Sequence, residues 1–308
     1  MKIFSKAVII LIVLVVASCE TQKANNQTQR PAAESSITNS IRVFDYQPEK
    51  PQNGELNAVI EVGSLGLNYF IIEIDDEARW VLKKQEFGRS NIIYGANSTT
   101  EIESNIKKYK QDITAFGVSP KNIYCVVSSS VIKENINDLT SRISNLDITT
   151  VTMTPENEAK YAMISTIPRE FMEESFMVDV GSGNTKLAWV NSADTSTIEI
   201  HGSKYFLGDV RDTTVFREVR DALLEVPKEN RNLCFILGGI IYEFAKEKID
   251  NEDRRYYVLE SPGDYPTNNE KLKAGNVIYS ALYLEPTYSY IFDSESNFSI
   301  GYLVSLKK

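Results

Sequence analysis

An apolar run that stops at a lone acid, turns through small residues and resumes as a second apolar run occurs twice in this chain. That duplication constrains the fold more than any other feature. The later copy, Phe176 to Val190, reads FMVDVGSGNTKLAWV; its pattern predicts a two-stranded hairpin, with Asp179 where a strand would carry another aliphatic residue. Gly181, Ser182, Gly183, Asn184 and Thr185 then offer successive backbone N–H groups without bulky cover. Such a nest suits an anion, and the adjacent carboxylate can position water or a metal. Taken alone, the segment also reads as an ordinary hairpin turn with an acid at a strand end. The earlier copy, Ala58 to Asp75, AVIEVGSLGLNYFIIEID, runs aliphatic residues into Glu61, then Gly63, Ser64 and Gly66, and matches the later one acid to acid and glycine to glycine.

A further pair follows the same plan. Asn122 to Glu134, NIYCVVSSSVIKE, and Asn232 to Glu243, NLCFILGGIIYE, each read as a buried strand, a small-residue turn and a helix start. The chain is therefore expected to be a duplicated α/β protein with ligand in the cleft between the copies. Residues 55–147 form the first subdomain in this reading and residues 148–308 the second.

Lys2 and Lys6 precede the apolar run Ala7 to Val16, which has the charge, length and small-residue end of an export signal rather than a comfortable bilayer span. It closes on Val16, Ala17, Ser18 and Cys19. This resembles the lipobox of bacterial lipoproteins, which implies a signal peptide over residues 1–18 and lipidation at Cys19. A lipid anchor would hold the protein at the cell envelope, its body in water outside the cytoplasm. Residues 19–54 are rich in Gln, Asn, Ser, Thr, Pro and Ala and read as a flexible tether.

The formal net charge is −9, and without Lys2 and Lys6 it falls to about −11. With no basic block, nucleic acid and an acidic membrane surface are excluded as main partners, which leaves the lipid as the membrane contact. Cys125 and Cys234 each sit inside an apolar strand and read as small buried hydrophobes. His201 is the single histidine, so His-based metal ligation and a Ser-His-Asp mechanism have little to draw on. Ser98 or Thr99 opens a helix that runs to Gly117, and Thr154, Pro155 and Glu156 read as N-cap, first helical residue and first-turn acid of a helix carrying Glu158. Beyond Ala245 the pattern predicts a strand near Tyr256, a helix from Asn269 to Leu284, and a closing β-like pair, Tyr288–Phe292 and Phe298–Leu306.

With these residues in view, Leu56 to about Lys248 resembles the exopolyphosphatase and guanosine pentaphosphatase family of the actin-like, sugar-kinase and Hsp70 ATPase superfamily. Glu61 to Asn68, EVGSLGLN, resembles the family's first phosphate motif, and Val178 to Leu187, VDVGSGNTKL, its second. Met153 to Met163, MTPENEAKYAM, resembles the segment whose Glu activates water, which maps to Glu158. Lys133 falls where the family places a cation facing phosphate, and Gly238 with Gly239 resembles the superfamily's late small-residue turn. The resemblance implies duplicated ribonuclease H-like (actin-like ATPase) subdomains with an interdomain cleft. It implies removal of terminal phosphate from polyphosphate or a related phosphoanhydride, with Glu158 as base and Mg²⁺ held by Asp179 and Glu61. Gly63, Ser64, Gly66, Lys133 and residues 181–186, Lys186 included, would meet phosphate.

Four departures bear on activity. Glu61 replaces the usual Asp, Leu65 and Gly66 replace Asn and Ser, Asn68 replaces a cation, and Lys186 stands where the family has Glu, an ammonium that repels a metal and attracts phosphate. A second reading therefore stands beside the hydrolase: a catalytically degenerate lipoprotein that kept the fold and serves in ligand binding or envelope assembly. The oligomeric state is undetermined in either reading, a homodimer included.

Overall fold

The computed structural model describes residues 44–63, 66–88, 99–131, 136–192, 194–284 and 289–307. The leader, Cys19, most of the tether, Ser64 and Lys133 lie outside the described residues.

The first sheet begins as an antiparallel meander, β1 (Glu55–Val62), β2 (Leu67–Ile74) and β3 (Trp80–Phe87). Helix α1 (Thr99–Phe116) then carries the chain to β4 (Ile123–Val127), and α2 (Ile136–Ser144) carries it to β5 (Thr149–Thr152). β4 lies parallel to β1 and β5 parallel to β4, in the order β3-β2-β1-β4-β5. After α3 (Pro155–Thr166) the plan repeats with β6 (Ser175–Val180), β7 (Asn184–Asn191) and β8 (Asp194–His201). Helix α4 (Asp212–Glu225) leads to β9 (Leu233–Leu237), parallel to β6. Then α5 (Gly239–Asn251), the short β10 (Tyr256–Val258) and α6 (Glu270–Tyr283) lead to β11 (Ser289–Asp293), parallel to β9. The second order, β10-β11-β9-β6-β7-β8, repeats the first with one added edge strand. The fold is therefore the expected duplicated α/β architecture.

The central strands read as unbroken aliphatic runs because both their faces are covered. One face of the first sheet packs on α1 and α2, through Ile60, Ile106, Ile113 and Ile143. The outer face of the second packs on α4, α5 and α6, through Val178, Val219, Ile241 and Ile278. Between the sheets, α3 and the last helix, α7 (Phe298–Ser305), share one core with Val59 and Phe70 of the first sheet and Met177 and Phe235 of the second. Here α3 and α7 touch along their backbones. A Cβ on Gly301 would lie 1.8 Å from the Tyr161 carbonyl oxygen, so only glycine fits the crossing.

The structure corrects three expectations. Residues 298–305 are helical, not the second strand of a closing pair. Asn297 caps the helix by accepting from the Ser299 N–H at 2.6 Å, and Phe298 through Val304 are all buried, so no alternation marks a strand and no polar face marks a helix. β5 is the edge strand of the first sheet, so that sheet runs past residue 147. The end of the tether is packed rather than loose: the Phe44 ring meets Phe171, Phe235 and Tyr256 at 5.3–5.6 Å.

Cys125 and Cys234 are free and buried, and burial raises both thiols above their usual range. His201 ends β8 with Nδ1 2.6 Å from Glu218. Among the described residues no helix is long and apolar enough to cross a membrane.

Candidate functional site

Parallel strands deliver their C-terminal ends to one edge of a sheet, and a crevice there is where open α/β sheets take ligands. Glu61 lies near the end of β1; the Ser128 N–H extends the ladder by donating to the Val62 carbonyl at 2.9 Å. β5 ends at Thr152, and α3 follows at once. Its N-cap Thr154 accepts from the Asn157 N–H at 3.1 Å, and Pro155 sets its first turn, which brings Glu158 toward the same edge. In the second sheet Asp179 lies next to the last residue of β6, beside Leu237 of β9. Gly238 follows with φ of 116°, and a Cβ there would lie 2.2 Å from the Val180 carbonyl oxygen. Only glycine lets α5 start this close to β6.

Three acids from the two sheets and the intervening helix thus come together. Glu158, 1 % exposed, is fully engaged. Its Oε1 accepts from Ser128 Oγ at 2.8 Å and the Ser129 N–H at 2.7 Å, and its Oε2 accepts from Ser129 Oγ at 3.0 Å and Lys186 Nζ at 3.0 Å. A carboxylate has about four acceptor positions, and here all are used. Lys186 Nζ lies 3.8 Å from Asp179 Oδ2, so a single ammonium sits between two carboxylates. Burial works against the lysine's charge, but Asp179 and Glu158 outweigh it and hold the ammonium above the ordinary lysine range. Burial raises Asp179 above the usual carboxylate range, with Lys186 pulling down and Glu158 adding to the rise.

Glu61 accepts from Ser299 Oγ at 3.0 Å and from Asn68 Nδ2 at 3.4 Å. Burial, opposed by hydrogen bonds from Ser299 and Asn297 and reinforced by Glu158 and Asp179, lifts its pKa to about 7.

The turns differ from the anion nests expected of them. The Gly63 N–H donates to the Gly66 carbonyl at 2.9 Å and the Gly66 N–H to the Gly63 carbonyl at 3.4 Å, so two intended donors are spent inside the first turn. The second turn is braced by Gly202 to Lys204, whose N–H groups donate to the carbonyls of Gly183, Gly181 and Ser182. Gly183 is exposed and Ser182 half-buried, Asn184 donates to Glu199 at 2.6 Å, and Thr185 is wholly buried with no partner for its hydroxyl among the described residues. Lys186, expected to face phosphate, instead neutralises Glu158. Its position in β7 points it across the sheet at α3, where a buried carboxylate takes its charge.

Among the described residues, the centre as arranged does not suit Mg²⁺. The ammonium occupies the place between Asp179 and Glu158, Glu158 has no free acceptor position, and the described residues contain no group of three side chains arranged to hold a metal. Sequence reasoning missed Ser128 and Ser129, read only as a small-residue turn, and Ser299. A run of hydroxyls at the end of a buried parallel strand is the signal that could have found the first two.

Between the sheets, beside Asp179, lies a cavity of about 420 Å³ with Gly238 and Gly239 in its wall. Its other walls combine five aromatic side chains with polar ones.

No protein-family model matches the chain, and no curated protein matches it. Solved structures do. The Ppx/GppA family member of Aquifex aeolicus is 18 % identical, with 82 % of this chain and 97 % of that chain covered and a TM-score of 0.65. The exopolyphosphatase of Cytophaga hutchinsonii is 13 % identical, with 82 % and 98 % covered and a TM-score of 0.60. An exopolyphosphatase-like protein is 10 % identical, with 83 % and 98 % covered and a TM-score of 0.59. This chain has the fold of the Ppx/GppA proteins.

Proposed function

We propose that the protein is a ligand-binding lipoprotein of the bacterial cell envelope, which uses the cleft of an exopolyphosphatase-type fold without hydrolysing phosphoanhydrides. The observation that carries this reading is the Lys186–Glu158 pair. A general base needs a lone pair aimed at water, and Glu158 spends its acceptor positions on Ser128, Ser129 and Lys186. Phosphoryl transfer rests on positioning and cationic charge. Here Asn68 stands where the resemblance places a cation, and among the described residues the ammonium of the centre, Lys186, is already paired. The test is phosphate release by the purified full chain from polyphosphate with Mg²⁺. Release no faster than the blank is expected; release that disappears in Glu158→Gln overturns the reading.

One observation favours a hydrolase, the first reading of the sequence. The three acids converge, and Glu61, with its pKa near 7, titrates where a general base works best. In this form of the account Glu61, in place of the Glu158 expected from the sequence, takes the proton of the attacking water, and polyphosphate or another phosphorylated ligand fills the cleft. Phosphate release abolished by Glu61→Gln, with folding intact, would establish it.

A further inference from the structure

The cavity beside Asp179 has walls of a definite chemistry. From the first sheet come Phe70 and Phe87, edge to face at 5.8 Å, and from the second Tyr242 and Phe292, edge to face at 6.4 Å. Phe87 is 65 % exposed and Tyr242 39 % exposed. Two large rings, one from each side of the cleft, are thus left in water although a folded chain gains by burying them. Ring faces are negative and attract cations, most strongly where water is excluded. The polar groups of the lining are neutral, Gln85 and Asn297 among them, apart from two carboxylates. Asp293 is already satisfied by Arg255, at 2.7–3.0 Å. Asp179 is not, because it shares one ammonium with Glu158, which holds that ammonium 0.8 Å closer at 3.0 Å against 3.8 Å. Among the described lining residues there is no Lys or Arg.

We propose that the cleft binds a small organic cation with a flat aromatic body, its ring between Phe87 and Tyr242 and its positive group on Asp179. A cavity of about 420 Å³ is of metabolite size. A polyanion would meet aromatic faces and an under-compensated acid in the same place. The inference rests on the cleft being a binding site, and it names the class of ligand.

Three probes of similar shape test it on the purified full chain: phenethylammonium, 2-phenylethanol and phenyl phosphate, titrated by NMR into the millimolar range with tripolyphosphate as a fourth arm. Phenethylammonium is expected to bind at least tenfold tighter than phenyl phosphate. Asp179→Asn should bring it within about threefold of 2-phenylethanol, and Tyr242→Ala should weaken all three aromatic probes. Phenyl phosphate or tripolyphosphate binding as tightly as the cation overturns the inference, as does saturation by none of them, or a cation preference that survives in Asp179→Asn. Should Asp179→Asn fail to fold, the order of the probes on the unaltered chain decides alone. Phosphate release from polyphosphate would sink the non-hydrolytic reading and leave this order untouched, whereas a reversed order without phosphate release would sink the ligand class alone.

Discussion

Ser299, in the last helix, donates its hydroxyl to Glu61, in the first strand, at 3.0 Å across 238 residues of chain. An acid of the candidate site is thus held from the far end of the described chain, by a helix that lies against the first sheet although it follows the last strand of the second.

Glu61 makes stability depend on pH in a predictable direction. Its pKa rises from about 4.5 in a free chain to about 7 when folded, under burial and the nearby charges of Glu158 and Asp179. The folded state therefore binds the proton more tightly than the unfolded state. The cost of ionisation is absent below about 4.5, grows as pH rises, and is complete above about 7. The full cost is on the order of 3 kcal/mol. Urea unfolding should show Glu61→Gln close to the unaltered protein in acid and more stable than it in mild alkali by up to about 3 kcal/mol. Equal stabilities at both ends would contradict the assignment.

Lys186 stands in for an external cation, so Mg²⁺ or Mn²⁺ should not move the melting temperature of the unaltered protein. Lys186→Glu crowds carboxylates with no counter-charge and should unfold several degrees earlier. Either divalent ion should recover part of that loss. Lys186→Met leaves Glu158 buried without its ammonium and should cost about 3–5 kcal/mol.

Gly301→Ala places a methyl group against the Tyr161 carbonyl, so α7 must back away from α3. Overpacking of this kind costs about 1–3 kcal/mol, and the displacement should also loosen the hold of Ser299 on Glu61. A lowered melting temperature together with a further rise in the Glu61 pKa, followed by carboxyl-carbon NMR, is the expected pair of results. An unchanged melting temperature would show that the crossing has room to spare.

Arg255 ties the two sheets together. Its guanidinium grips Asp293 at 2.7–3.0 Å, donates to the Ser165 carbonyl, and lies over the rings of Trp80 at 4.1 Å and Tyr256 at 4.9 Å. Lysine keeps the charge but not the planar fork or the stacking. Arg255→Met should lose about 3–5 kcal/mol by chemical denaturation because Asp293 stays buried without a counter-charge, and Arg255→Lys a measurable part of that through the lost fork and stacking. Full stability in the lysine variant would show that charge alone suffices.

The duplicated plan was legible because it is written in local pattern: two aliphatic strands, each ending in an acid and a small-residue turn. Glu61 and Asp179 could be named for the same reason, and Glu158 through the resemblance of MTPENEAKYAM to the family's segment. What could not be read depended on partners far apart in the chain. Lys186 looked available because nothing in NTKLAWV reveals a buried carboxylate opposite it. The N–H groups of Gly63 and Gly66 looked free because a turn's own closure is invisible in composition. FSIGYLVS looked like a strand because a helix buried on every side loses the polar face that would betray it.

The place of α7 has a consequence for biosynthesis. The inter-sheet face of β1 and β2, Val59 and Phe70 on it, shares its core with α3 and α7 and is not fully covered until Phe298 to Val304 have joined it. That one face therefore stays incomplete until the last helix docks, while the other is closed early by α1 and α2. A chaperone that holds the incomplete chain should therefore matter more to its yield than to its final stability.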